Sequence, residues 1–387
     1  MNYILYDDPT IRVDLYPLSL TRPIADFRVG ILKISEKWSL YLNSRVYYKT
    51  AEYLQKKFPF QAGADTVYIS AHVCPTAELA DKILSLKNDE SIYFNHHLIA
   101  YRNTYKGASI MLQNAPTIIT KVWHIFSNNG KEIKNDIDLL SKHKKFYSIS
   151  DPHTRCYNEK NIYVEEGVKI HAAILNADNG PIYLGKHSEV QEGAMIRGPF
   201  ALCENSIVNM GGKMRGDNTI GPYSKVGGEV SNSVIFGYSN KAHDGFMGNS
   251  VIGEWCNFGA DSNTSNLKNN YANIKIYSYA QKKYVDSGLQ FCGLIMGDHS
   301  KCGINIMFDS GSIVGVNASI YGAKYSPKFI PSFSWGDIEN LTEFHFDKAI
   351  EVARRVMARR NVELTQTDID ILREVHILES KYKSELK

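Results

Sequence analysis

The sequence predicts an α/β domain followed by a left-handed parallel β-helix and a helical tail. Three observations carry that prediction: strand-like and helix-like segments alternate up to about residue 155, an apolar position then recurs every six residues, and helical spacing returns from Pro331 onward. The chain divides accordingly into residues 1–155, 156–330 and 331–387.

In the first stretch, Ile4-Leu5-Tyr6 and Thr66-Val67-Tyr68-Ile69 have the apolar, β-branched texture of strands. Thr76 to Leu86 follows a Cys-Pro start and sets Leu79, Ile83 and Leu86 on one helical face. Val46 to Phe58 reads as a second helix.

The second stretch is set by its period. Leu184, Val190, Ile196, Leu202, Val208, Met214, Ile220 and Val226 stand six apart without a break. Small residues recur four positions later (Ser188, Ala194, Ser206, Asn218, Ser224), with Phe200 an exception. Each hexapeptide is then one short flat rung, and three rungs close a triangular coil. The apolar residue points inward onto its equivalents above and below, and the small residue sits where the chain turns. No coil can bury its apolar residues alone, so stacking is obligatory. An antiparallel sandwich would show period two instead. The pattern slips near residues 230–250, resumes at Ile252-Gly253 and Phe258-Gly259, gives way to a polar insertion from Thr264 to Gln290, and returns from Phe291 to Tyr321. An insertion of that size in a regular solenoid is commonly functional, and we expect it to reach across a neighbouring subunit.

In the tail, Phe346 to Arg360 carries Ile350, Ala353 and Met357 on one stripe. Thr365-Gln-Thr-Asp368 has the form of a helix start, with Ile369, Leu372 and Leu378 continuing a face.

Composition bounds the function. The 44 basic and 41 acidic residues nearly cancel, which gives no reason to expect nucleic acid or an anionic membrane surface as partner. No basic leader followed by an apolar stretch opens the chain, and no run of 18 apolar residues occurs. The six scattered cysteines form no CxxC pair and read as free thiols, so we expect a cytoplasmic protein. His96-His97 is a poor metal pair, because neighbours in a strand face opposite ways and no third ligand stands at metal-site spacing.

Two motifs carry a family resemblance. Pro17-Leu-Ser-Leu-Thr-Arg-Pro23, followed by Val29-Gly30, resembles the sugar-nucleotidyltransferase signature. Lys241-Ala-His243-Asp-Gly, followed by Ser250 to Ala260 and by Asp261-Ser-Asn-Thr-Ser-Asn266, resembles the histidine-bearing coils of GlmU-type acetyltransferases. A nucleotidyltransferase-like domain ahead of a hexapeptide β-helix is the architecture of those bifunctional enzymes, and the shortened Bacteroidetes-type form is the nearest likeness. The resemblance implies acetyl-CoA-dependent N-acetylation of an amino-sugar-1-phosphate, with glucosamine-1-phosphate as acceptor. It further implies nucleotidyl transfer from UTP, giving UDP-N-acetylglucosamine, in a cytoplasmic homotrimer that works on small molecules.

Residue by residue, the resemblance makes His243 the general base, and Asn257 and Asn266 ligands of the amino sugar or supports of the histidine, with Lys241 beside them. Arg197 would clasp the sugar phosphate; the family's second basic residue falls near Ser231, so Lys213, Arg215 or Lys225 would have to replace it. Arg22, Arg28 and Lys37 are the candidate nucleotide-phosphate ligands. The family's glycine-rich loop corresponds to Asp7-Asp8-Pro9-Thr10-Ile11-Arg12, which has no glycine, and its lysine after TRP is Ile24. Mg²⁺ is implied at the N-terminal site, where Asp7, Asp8 and Asp65 are metal candidates by type alone. Two other readings stand beside this one: a single-activity sugar-1-phosphate nucleotidyltransferase such as a thymidylyltransferase, and a non-catalytic scaffold that binds a sugar nucleotide.

The chemistry of the solenoid site holds without the family. Moving an acetyl group from a thioester to an amine needs a base for the amine proton and a donor for the developing oxyanion. A neutral imidazole supplies the first, and a backbone N–H of an adjacent coil the second.

Overall fold

In the computed structural model, which describes residues 1–385 and side chains through Ser380, the N-terminal residues build one six-stranded sheet. Its strands are β1 (Asn2–Tyr6), β2 (Val46–Lys49), β3 (Thr66–Ser70), β4 (Ser91–Phe94), β5 (His97–Arg102) and β6 (Ser109–Met111), in the order 2-1-3-5-4-6. β1 runs parallel to β2 and β3, so their C-terminal ends open on one edge. The helices α1 (Pro9–Asp14), α2 (Ile34–Leu42), α3 (Ala77–Leu84) and α4 (His124–Leu140) complete the domain. The expected helix after Cys-Pro is α3, and Thr76 caps it, accepting from the Leu79 N–H at 3.2 Å. The expected helix over Val46–Phe58 is instead strand β2 and a short 3₁₀ turn at Glu52–Leu54. Val46-Tyr-Tyr-Lys49 pairs with β1, and tertiary pairing overrides a weak helical period.

The period-six stretch is a parallel β-solenoid with three faces, sheets of eight, nine and ten strands. All eight apolar residues of the period are at most 1% exposed, as an inward column requires. Leu202 stacks on Ile220, and a Cβ at Gly221 would come within 2.0 Å of the Phe236 carbonyl oxygen, so the next coil leaves room only for glycine there. The slip after residue 226 has a geometric origin: Leu202 pairs with a residue eighteen further on, but Ile220 pairs with Ile235, only fifteen further on. In this shortened coil the inward place next to Val226 falls to Lys241. Stacking continues beyond Pro331, where Ser334–Asp337 pairs with Ser319–Tyr321 before α5 (Phe346–Ala358) and α6 (Gln366–Glu385) follow.

The three faces are covered unequally, and that decides where a site can be. The N-terminal domain packs on the nine-stranded face. Phe27 meets Phe236 at 5.5 Å between ring centroids, and Val234, Val251, Ile295 and Ile313 join the same core. The polar insertion is a correction to expectation: it does not reach outward. Its hairpin (Lys275–Ser278 with Lys283–Asp286) folds back on its own chain, burying Ile274 and Ile276 in that interdomain core and stacking Tyr277 on Phe329 at 3.9 Å. α5 packs around Trp255, Val316 and Phe333 through Ile350, Ala353 and Met357, and α6 joins the same cluster through Ile369, Leu372 and Val375. The eight-stranded face is left open, with Ile174, Met195, Lys213 and Asn263 exposed along it.

The loop after the TRP motif is locked to the domain interior. Gly30 has φ 84°, and a Cβ there would sit 2.5 Å from Asp136 Oδ2. Asp136 accepts from the N–H groups of Ile31 and Leu32 at 2.7 and 3.0 Å, while Lys37 Nζ lies 2.5 Å from Glu132 and 2.8 Å from Asp136. Burial lowers the Lys37 pKa, but the two carboxylates outweigh it and hold the ammonium charged. Lys37→Met leaves both acids buried without their cation and is expected to destabilise the chain by about 3–5 kcal/mol. Equilibrium chemical denaturation checks this, and a loss below about 1 kcal/mol would contradict the assignment.

Candidate functional site

The shortened coil makes the first candidate site. Lys241 is fully inside the solenoid, and its Nζ donates to the carbonyls of His243 and Asp244 at 2.5 and 2.9 Å. A lysine in an apolar column thus supplies donors that the tightened turn lacks, and the turn presents His243 at the corner between the ten- and eight-stranded faces. His243 is exposed there. Beside it, the Phe246 N–H donates to Asn263 Oδ1 at 2.7 Å, tying this turn to the next coil.

The other expected ligands do not gather around His243 within one chain. Asn257 lies outward on the ten-stranded face, one coil on, where it pairs with Asn240 and Lys301. Asn266 follows the eight-stranded face, and its Nδ2 donates to Asn249 Oδ1 at 2.8 Å. Arg197 is exposed on strand Met195–Arg197, four rungs from the strand preceding Asn266, or about 19 Å at the usual strand spacing. Lys241 is committed to the turn and not to a ligand.

The N-terminal phosphate candidates are corrected by their surroundings. Arg22 is buried and faces three carboxylates: Asp298 at 2.5 Å, Glu254 at 3.1 Å and Asp26 at 3.3 Å. Two of these belong to the solenoid, so Arg22 joins the domains. Burial pushes the Glu254 carboxyl up, but Arg22 and Lys33 outweigh that and hold it well below the usual range. Arg28 is buried too, donating through Nε to the Phe236 carbonyl at 3.2 Å and through Nη1 to that of Ile31. With Lys37 paired as above, all three cations are internal supports, and none stands free for phosphate.

The metal candidates are likewise occupied. Asp7 accepts from Arg12, Thr50 and the Ile24 N–H; Asp8 caps α1 through Thr10 and Ile11; Asp65 takes both arms of Arg102. Among the described residues no group of three His, Cys, Asp or Glu side chains could hold a metal ion. The described residues therefore form no ready-made three-ligand cage for Mg²⁺.

A feature missed in the sequence lies at the open ends of β1 and β3, where parallel α/β sheets place their ligands. A cleft of about 540 Å³ there is lined by Tyr6, Asp8, Lys49, His72, His97 and Tyr101. His72 is 3% exposed, and neither ring nitrogen has a partner. Burial lowers its pKa to about 4, so the imidazole is neutral at physiological pH. Nothing in the local sequence marks His72, since it stands in an ordinary strand-end segment. His96 and His97 both line this cleft, because His96 is in the turn before β5 and not in the strand.

Comparison with known proteins gives a family match in the N-terminal domain and two partial relatives. Residues 3–145 match the model of the sugar nucleotidyl transferase family. The chain is similar to a bifunctional sugar-1-phosphate nucleotidylyltransferase/acetyltransferase of Sulfurisphaera tokodaii, 30% identical over 160 residues, 41% of this chain and 37% of that one. It is also similar to the bifunctional protein GlmU of Methanocaldococcus jannaschii, 38% identical over 92 residues, 24% of this chain and 22% of that one. Over part of its length the chain is thus similar to GlmU-type bifunctional proteins.

The matched segments thus span 37% and 22% of those relatives' lengths. In this chain the N-terminal domain precedes the β-solenoid and the C-terminal helices, as the sequence predicts. No helix among the described residues is long and apolar enough to cross a membrane.

The buried lysine of the His243 turn gives a pH test. Burial lowers the Lys241 pKa to about 8, below an unfolded value near 10.4. Between those values the unfolded chain holds a proton that the folded chain lacks, so this group makes stability rise with pH from about 8 to 10. Lys241→Met should make that rise shallower, as read from denaturation midpoints at the two pH values; an unchanged slope would contradict the placement.

Proposed function

We propose that the solenoid transfers an acetyl group from acetyl-CoA to the amine of an amino-sugar-1-phosphate, with glucosamine-1-phosphate as acceptor and His243 as general base. The observation that carries this reading is the shortened coil, in which a buried lysine takes an apolar core place and fixes the turn that exposes His243. The imidazole takes the amine proton as nitrogen attacks the thioester carbonyl. The tetrahedral oxyanion collapses, expels the CoA thiolate, and leaves an amide. Asn257, Asn266 and Arg197 lie too far apart to form one pocket in a single chain, which supports a homotrimer that completes the acceptor site between neighbouring coils. The open eight-stranded face beside His243 is the surface available for that assembly.

The second half of the proposal is nucleotidyl transfer from UTP, giving UDP-N-acetylglucosamine. It rests on the family match over residues 3–145 and on the cleft at the ends of β1 and β3. One observation favours a binding domain without turnover instead: Arg22, Arg28 and Lys37 are all spent on internal partners. Pyrophosphate release from UTP with N-acetylglucosamine-1-phosphate separates the two. Release supports synthesis, and saturable UTP binding without release supports a sensing scaffold.

The acetyltransferase reading is tested by thiol release from acetyl-CoA with glucosamine-1-phosphate. The wild-type chain should turn over, and His243→Ala should fall by about 10²-fold or more. No release above blank from the wild type, or an unaffected mutant, would sink the reading.

A further inference from the structure

On the ten-stranded face, Asn240, Asn257 and Lys301 stand on consecutive coils, one above another. α5 crosses this column and leaves a cleft of about 310 Å³ between helix and sheet. Arg359 and Arg360 enter it from the helix end, and Tyr238 and Trp255 wall one side, stacked at 4.2 Å between ring centroids.

The charge is one-sided. Lys301, Arg359 and Arg360 line the cleft with no carboxylate among its described residues. Lys301 Nζ donates to the His299 carbonyl at 2.6 Å, and Arg360 Nη2 donates to Asn240 Oδ1 at 3.0 Å; both partners are neutral. Elsewhere the chain pairs its buried cations closely, as at Arg12, Arg22 and Lys37. Three like charges around one cleft repel each other, and burial already lowers the Lys301 pKa to about 8. A bound anion would relieve that repulsion and offer acceptors to the free guanidinium N–H groups and to the Asn257 amide.

We propose that this cleft binds the phosphate or diphosphate group of a small phosphorylated molecule, with Lys301, Arg359 and Arg360 as its ligands. His243 does not line this cleft, although Asn257 does, and the proposal does not depend on the acetyltransferase reading. A nucleotide, coenzyme A and a sugar phosphate share this chemistry, and competition sorts them.

Calorimetric titration of the full chain with inorganic pyrophosphate is the direct test, followed by competition with UDP, coenzyme A and glucosamine-1-phosphate. Saturable binding is expected, weakened about tenfold or more by Arg359→Ser and by Lys301→Met, and unchanged in His243→Ala. Arg359 is exposed, so its replacement leaves the fold intact. Restored affinity in Lys301→Arg would separate a charge role for Lys301 from a packing one. Absence of saturable binding, or equal affinity in Arg359→Ser and the wild type, would overturn the proposal. Loss of acetyl transfer in His243→Ala with pyrophosphate binding intact bears only on the other site.

Discussion

Arg22 holds the two halves of the molecule in one arrangement. A guanidinium buried to this degree is costly unless its charge is matched, and the match comes from Glu254 and Asp298 of the solenoid together with Asp26 of its own loop. Thr21 adds a 2.6 Å hydrogen bond to the same Asp298 oxygen. Around this polar centre lies apolar contact: Phe27 on Phe236, and Ile276 of the hairpin in the same core. The ion pairs contribute direction more than net energy, since apolar burial holds the faces together and the paired charges fix which loop meets which coil. Once the nine-stranded face is covered in this way, and α5 and α6 take part of the ten-stranded one, ligands must use the remaining surfaces.

That division shapes the functional picture. His243 sits at the edge of the open face, where a neighbouring coil or a substrate can approach. The N-terminal cleft is reached from the ends of β1 and β3, on the domain's own edge. Because Arg22, Arg28 and Lys37 are structural, the cations of the TRP-type motif serve docking, and any nucleotide in that cleft meets Lys49, His72 and tyrosine rings instead.

The sequence made some of this plain and hid the rest for physical reasons. Stacking writes itself into the chain as a period, so the inward column from Leu184 to Val226 was legible residue by residue. The slip near residue 230 was visible, but its cause was not: a coil of fifteen needs register partners to be recognised. β2 was mistaken for a helix because a short strand flanked by a 3₁₀ turn mimics helical spacing. Arg22 was legible as special and not as what it is, because Asp298 lies 276 residues away. The hairpin reads as an outward arm in sequence, since its lysines are conspicuous and its alternating Ile274 and Ile276 are not. His72 left no local signal at all, since a missing hydrogen-bond partner is a property of the fold.

Arg22 pins the domains together and does not serve a nucleotide phosphate. A double-mutant cycle between Arg22→Met and Asp298→Asn, measured by equilibrium denaturation, addresses it directly. A coupling of about 1.5 kcal/mol or more is expected for groups in one buried network. Additivity within about 0.5 kcal/mol, accompanied by lost UTP affinity in Arg22→Met alone, would contradict it.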